Sequence, residues 1–323
     1  MTSVNERLHQ IGDPNLTHDE RAQLRCQLAK ELEDMGNYEA AREAMGELWS
    51  RVGHPPVLDG LSPTTTAMVL LRIGALTGWI GSVKQIEGSQ EVAKNLLSVS
   101  INKFETLQDE KKLAEAQTEL GYCYWREGAF DEARVVLHEA LSRLSDEEGD
   151  LKAVALLRSA SVEKVSCRLS DALRLLEEAA PLFELSLNHT LKGRFHNEFA
   201  QVLRKLGEVE RRNDYIDRAL IEYAAASYHF EKAGNRRYQG CVENNLGFLF
   251  STLGKFNEAH DHLDRAQALM TSLKDSVHLA QVDETRARVF LAEGQVGEAE
   301  KLARAAVRVL ERGGEQSLLA EAL

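Results

Sequence analysis

Proline is almost missing from this chain, with five in 323 residues, and tryptophan is rarer still at three. Beside abundant Ala, Leu, Glu and Arg, that scarcity speaks against a loop-rich fold and for a helical one. Cysteine is sparse as well. The four residues Cys26, Cys123, Cys167 and Cys241 lie far apart, without the spacing of a disulfide framework or a zinc site, as expected of reduced thiols in a cytoplasmic protein. No apolar leader opens the chain, because residues 1–23 are polar and mixed in charge. The longest apolar run, Ala67–Ile80, holds Arg72 and amounts to ~14 residues, which is short for a bilayer span. An excess of positive charge is lacking too: the net charge is −12, which argues against a direct nucleic-acid binder.

Catalytic signatures are also missing. There is no phosphate-binding loop, since Gly247…Gly254-Lys255 has the wrong spacing, and no Gly-x-Ser-x-Gly elbow or Gly-x-Gly-x-x-Gly turn occurs. His260-Asp261-His262 is the one metal-like cluster, but residues two apart on a helix face different ways. The reading is therefore of a protein that is not an enzyme and carries no cofactor or metal.

What is present is repetition. Leu246-Gly247, Phe250, Gly254, Phe256, Ala259, Leu263 and Ala266 form a series that returns about 40 residues later as Ala287, Phe290, Gly294, Val296, Ala299, Ala303 and Ala306. Each series reads as two antiparallel helices, with Gly at the turn and small residues where the helices touch. The same series occurs at Leu120-Gly121, Tyr124, Gly128, Phe130, Ala133, Leu137 and Ala140.

In chain order, residues 1–20 read as a leader segment, closed by Thr17-His-Asp-Glu20 as a capping box. Residues 21–323 read as one solenoid, with pairs near 22–55, 63–108, 112–146, 151–187, 190–234, 238–273 and 278–312. Residues 315–323 look like the start of an eighth pair, cut off. The fourth pair is degenerate, with Ala160 and Cys167 in place of its glycines, and Pro181 should kink or shorten its second helix.

The pattern Leu120-Gly121…Tyr124…Gly128…Phe130…Ala133 resembles the tetratricopeptide repeat (TPR). The resemblance runs from about Ala22 to Glu311. Its long period resembles the TPR arms of bacterial regulators such as the Rap and MalT proteins, and of kinesin light chains. It implies an all-α solenoid, a right-handed superhelix of about seven helix pairs plus the start of an eighth.

A longer register overlies the short one. Gly121/Gly247, Ala133/Ala259, Ala140/Ala266, Gly81/Gly207 and Phe104/Phe230 are all 126 residues apart. In most pairs the turn residue and the next small residue lie five apart, but at Gly81/Ala93 and Gly207/Ala219 they lie twelve apart. A three-pair block therefore occurs twice, each opening with an extension, at residues 82–91 and 208–217, that should project from one edge of the solenoid.

In a TPR superhelix the first helix of each pair lines the groove. The offsets place Arg72 and Trp79 there, then Tyr122, Trp125 and Arg126, Arg158 and Lys164, and Asn197, Gln201, Arg204 and Lys205. Asn244, Asn245 and Phe248 follow, then Glu284 and Arg288. The acidic chain thus presents a lining rich in Arg, Lys, Asn and aromatics. Asn245 resembles the Asn with which kinesin light chains and Rap proteins hold a peptide backbone, and an amide both donates and accepts, as that task requires. Thr118-Glu119 stands at that place in the third pair, so the Asn ladder is incomplete.

These readings converge on a scaffold or sensor arm that grips a protein or peptide, an acidic or C-terminal segment being favoured, as part of a larger bacterial signalling or transcription-regulatory protein. Direct contact with nucleic acid or a membrane is not expected of this region. Two other readings stay open: an assembly scaffold using its outer face or terminal helix, with a homodimer as one form, and a Rap-like regulator of phosphotransfer.

Overall fold

The computed structural model describes residues 4–311 except 146 and 148, and these form fifteen α-helices and one short 3-10 turn with no strand among them. Two compact units divide the chain, residues 1–151 and 152–323. The expected start of an eighth pair, 315–323, lies outside the described residues.

The first unit holds α1 (Val4–Ile11), α2 (His18–Asp34), α3 (Tyr38–Met45), α4 (Pro63–Lys84), α5 (Ser89–Leu107), α6 (Glu110–Arg126) and α7 (Phe130–Arg143). The second holds most of α8 (Gly149–Val165), then α9 (Leu169–Leu185), α10 (His189–Glu210), α11 (Asn213–Lys232), α12 (Arg236–Thr252), α13 (Phe256–Leu273), α14 (Ser276–Ala292) and α15 (Val296–Leu310). Within each unit the helices pack as antiparallel pairs. First helices also meet first helices, α2 with α4 and α4 with α6, or α10 with α12 and α12 with α14.

Side-chain caps open α2 at Thr17 with the full capping box, α3 at Asn37, α4 at Ser62, α6 at Asp109, α10 at Asn188, α12 at Asn235 and α14 at Asp275, each accepting the backbone N–H three residues on. Left-handed residues close turns of both kinds, inside a pair at Gly36, Gly128, Gly254 and Gly294 and between pairs at Gln108, Gly234 and Lys274. At Gly128, φ 79°, the Ala129 N–H reaches back to the Tyr124 carbonyl at 3.0 Å, the hydrogen bond of a Schellman ending. Cys167 takes the same place in the fourth pair with φ 58°, a backbone state that costs a residue with a Cβ about 1–2 kcal/mol. Replacing it with glycine, Cys167→Gly, should raise stability by about 1 kcal/mol, read from chemical denaturation. A loss of stability would show that the thiol holds the turn.

Three expectations need correcting. Gly81 and Gly207 are not turn residues: both lie inside helices of 22 residues, α4 and α10, whose left-handed endings are Gln85 and Arg211, both at φ 54°. The extra residues do not project as a loop but lengthen both helices of the pair. Glycine is required at Gly81 because a Cβ there would stand 2.0 Å from the Ser89 hydroxyl oxygen. Pro181, expected to kink or shorten the second helix of the fourth pair, lies inside α9, which runs on to Leu185. The apolar run 67–80 is part of α4, which is long and apolar enough to cross a bilayer by length and composition. It is buried among α2, α3, α5 and α6, and that burial accounts for its character as a core helix.

The 126-residue register reappears in three dimensions. A Cβ on Gly121 would meet Leu137 Cγ at 2.7 Å, and one on Gly247 would meet Leu263 Cγ at 2.7 Å, so the same close helix approach is built twice.

Candidate functional site

The first-helix face of each unit carries the residues selected from the sequence. In the first unit Arg72 is buried, 3% exposed, with Glu33 from α2 on one side and Glu115 from α6 on the other, both at 2.6 Å. Burial opposes the Arg72 charge, but Glu33, Glu115 and Glu119 more than offset it and raise its pKa further. Burial likewise pushes the Glu115 carboxyl up, and Arg72 and the Lys30 and Lys112 charges bring it well below the usual carboxylate range. Burial dominates at Glu33, whose pKa is raised. Arg72 thus ties three first helices together and is not a cation held out to a ligand.

Further along the same helices runs an aromatic column. Tyr38 stacks on Trp79 at 4.9 Å between ring centroids, Trp79 on Tyr122 at 4.7 Å, and Tyr122 on Trp125 at 5.2 Å. The Arg126 guanidinium lies over Trp79 at 4.2 Å and over Tyr122 at 4.5 Å, a geometry in which the ring faces attract the cation. Trp79 and Arg126 are buried, while Tyr122 and Trp125 are half-buried.

The second unit brings most of the remaining candidates onto neighbouring helices. Lys164 of α8 donates to Glu198 Oε2 at 3.0 Å and to Gln201 Oε1 at 2.9 Å, both on α10. Asn245 of α12 donates its amide to Asn197 Oδ1 of α10 at 2.9 Å. Beside that pair, Asn244 Oδ1 is buried with no hydrogen-bond partner. Phe248, one turn along α12, lies between two arginines: the Arg204 guanidinium is 4.5 Å from its ring centroid and that of Arg288, on α14, is 5.8 Å away. Arg204 also bonds Glu208 at 2.6 Å, and Arg288 bonds Glu284. Arg158 is buried on α8 and Lys205 half-buried on α10.

A lining of uncompensated positive charge is therefore not what the helices present. Arg72, Lys164, Arg204 and Arg288 each face a carboxylate. Glu33, Glu115 and Glu198 were missed by the sequence reading. One signal existed, because Glu198 stands 126 residues after Arg72 and Glu284 the same interval after Arg158, so the register places an acid where the preceding block has a base. The His260-Asp261-His262 cluster behaves as its spacing implies: His260 bonds Glu293, just past the end of α14, and His262 bonds Glu243 of α12. No group of three or more His, Cys, Asp or Glu among the described residues is arranged to hold a metal.

Comparison with known proteins settles the fold. The tetratricopeptide repeat family model matches residues 22–48. No curated protein matches the sequence. The APC/C subunit of the Cut9–Hcn1 hetero-tetramer superposes with a TM-score of 0.61 at 17% identity, covering 99% of this chain and 51% of that one. This is a tetratricopeptide-repeat fold. Two further TPR structures are similar over 99% of the chain. One is a Rap protein complexed with competence and sporulation factor, with a TM-score of 0.55, 15% identity and 94% of its own length covered. The other is aspartyl phosphate phosphatase F from Bacillus subtilis, at 0.56, 15% and 90%. At these identities the likeness is one of fold, and the TPR face described above has to be read from its own residues.

Proposed function

We propose that this TPR chain is a non-enzymatic scaffold or sensor arm that binds an extended segment of a partner protein along α10, α12 and α14. The observation that carries the reading is the meeting, on three neighbouring first helices, of the Asn197–Asn245 amide pair with the Arg204–Phe248–Arg288 column. Amides that bond each other exchange that bond for the N–H and C=O of an extended backbone without loss, and Asn244 Oδ1 already lacks a donor. Arg204 and Arg288, which flank the Phe248 ring, each bond a glutamate one turn away on their own helix, and exchanging those glutamates for a ligand carboxylate would favour an acidic or C-terminal segment. A Rap protein of the same fold has been crystallised with competence and sporulation factor, and this lends the reading support of a general kind. A bacterial signalling or transcription regulator, acting in the cytoplasm, is the host that best suits such an arm.

Affinity capture on the immobilised chain, followed by fluorescence anisotropy with peptides from the captured partner, tests the proposal. Asn244→Ala/Asn245→Ala should weaken binding by about 10- to 100-fold, the cost of leaving backbone groups unpaired. Arg204→Ala/Arg288→Ala should select against acidic peptides and spare neutral ones. Partners indifferent to both pairs of changes would favour an assembly scaffold, a reading that the exposed Val135, Ile221 and Val296 on second helices also support. Partners that are phosphoproteins, bound through the N-terminal helices, would favour a regulator of phosphotransfer.

A further inference from the structure

The first turns of α10 and the last turn of α11 bring three of the ten histidines together. His189 Nδ1 and His229 Nδ1 are 2.8 Å apart, close enough that one ring donates and the other accepts. His196, two turns along α10 from His189, stacks on His229 with centroids 5.4 Å apart and planes at 9°. Its own Nδ1 bonds Glu222 Oε2 at 2.7 Å. His229 thus touches two other imidazoles, one by its Nδ1 and one by its ring face.

The charges around this cluster are few. From α10 come Lys192 and the two histidines, and from α11 come Glu222 and Lys232, whose ammonium lies over the Tyr228 ring. From α9 the Glu184 main-chain oxygen takes the Lys192 ammonium, and α12 sends Tyr238 onto Phe230, the neighbour of His229. Glu222, the carboxylate bonded within the cluster, belongs to His196 and leaves His229 without an anion of its own. Burial, then His196, His189 and Lys192, push the His229 pKa down to about 4.

We infer that the His189–His229–His196 stack is a proton-sensitive joint that holds the start of α10 against the end of α11 near neutral pH and releases it in mild acid. A 2.8 Å contact between two Nδ1 atoms holds one proton. A second proton in the contact sets two N–H groups face to face and puts a positive charge on the ring that had accepted, and the contact opens. What the joint covers is aromatic: Phe195 follows directly on α10, stacked on Phe183 of α9 at 4.6 Å and against Phe199 at 5.5 Å. Leu185, the last residue of α9, and Leu187 in the adjoining loop, 82% and 84% exposed, would move with it. Asn197 and Glu198 come immediately after His196, so opening this end of α10 also disturbs the amide face.

The sign follows from linkage. His229 has a folded pKa below its ordinary 6.5, so the opened form binds more protons between 6.5 and about 4. The joint is therefore intact above pH 6.5 and weakens as pH falls through that window. With those two values the opening constant rises about fifteenfold between pH 6.5 and 5.0.

Hydrogen-exchange mass spectrometry on the full chain, corrected for the intrinsic pH dependence of exchange, reads this directly. In the wild type, protection in residues 189–196 and 226–233 should fall about fifteenfold from pH 6.5 to 5.0 while the α12–α13 pair changes little. His229→Gln should flatten that dependence. His189→Ala alters an exposed residue and so leaves the core intact; it should reduce the dependence by removing the shared proton. An equal pH dependence in the wild type and in His189→Ala, or a loss of protection spread evenly over the unit, overturns the inference.

Discussion

Arg72→Met should destabilise the N-terminal unit by about 3–5 kcal/mol, the cost of removing one member of a buried ion network. The change preserves most of the side-chain volume, so little of that loss comes from a cavity. What remains is Glu33 and Glu115, 7% and 6% exposed, facing the gap from either side. Their charges then lack the guanidinium that both of them bonded at 2.6 Å. A specific pH signature separates this cause from poor packing. In the wild type Glu115 sits well below its ordinary range, so its contribution is present at neutral pH and is lost as pH falls. In Arg72→Met the sign reverses: both carboxyl groups are raised, protonation relieves them, and the variant is more stable at pH 5 than at pH 7. Adding Glu33→Gln and Glu115→Gln to Arg72→Met should recover most of the loss, as replacing a whole buried network costs far less than breaking it. Urea denaturation of the three proteins at pH 5 and 7 checks all of this, and a single-variant loss below about 1 kcal/mol would contradict it.

The same residue shows how far the sequence could be read. Gly121, Gly128 and Ala133 are legible because each meets a constraint that few residue types satisfy: a helix approached to within contact of Leu137, a left-handed backbone, a buried contact of 0% exposure. Such positions repeat wherever the geometry repeats, and the helix pairs follow from them. Arg72 meets no comparable constraint. A buried arginine and a groove arginine look alike in sequence, and only the folded chain brings Glu33, 39 residues away, against its guanidinium. Gly81 misled for the opposite reason. Glycine serves both a left-handed turn and a close helix contact, and the interval to Ala93 could not say which. Phe248 was selected by its offset, but its two guanidinium partners come from α10 and α14, on either side of its own helix.

Asp275→Ala should cost the second unit about 3–5 kcal/mol, because one buried carboxylate there serves three groups. Its side chain is 0% exposed. It caps α14 by accepting the His278 N–H at 3.2 Å, bonds the His278 ring at 2.9 Å and pairs with Arg237 of α12 at 2.7 Å. Loss of an Asp cap alone is worth about 1 kcal/mol. The rest of the cost comes from Arg237 and His278 left beside each other without an anion. Asp275→Asn keeps the cap and removes the charge, so it should fall between wild type and alanine. Acid should have little effect until far down the scale. Burial alone would raise Asp275, yet the His278 hydrogen bond and the His278 and Arg237 charges bring it to about 2, against an ordinary 3.8. The stability it supplies is complete above pH 3.8 and is lost as pH falls toward 2. In Asp275→Ala that acid limb should be shallower. The mid-range should also change, since burial opposes the His278 charge and, without Asp275, only Cys241 is left to offset it, so the ring charges less readily in the fold. Equal acid limbs in wild type and variant would show that α14 is held by its apolar contacts, Val277 and Ala280 against Ala306 and Leu310, and not by its cap.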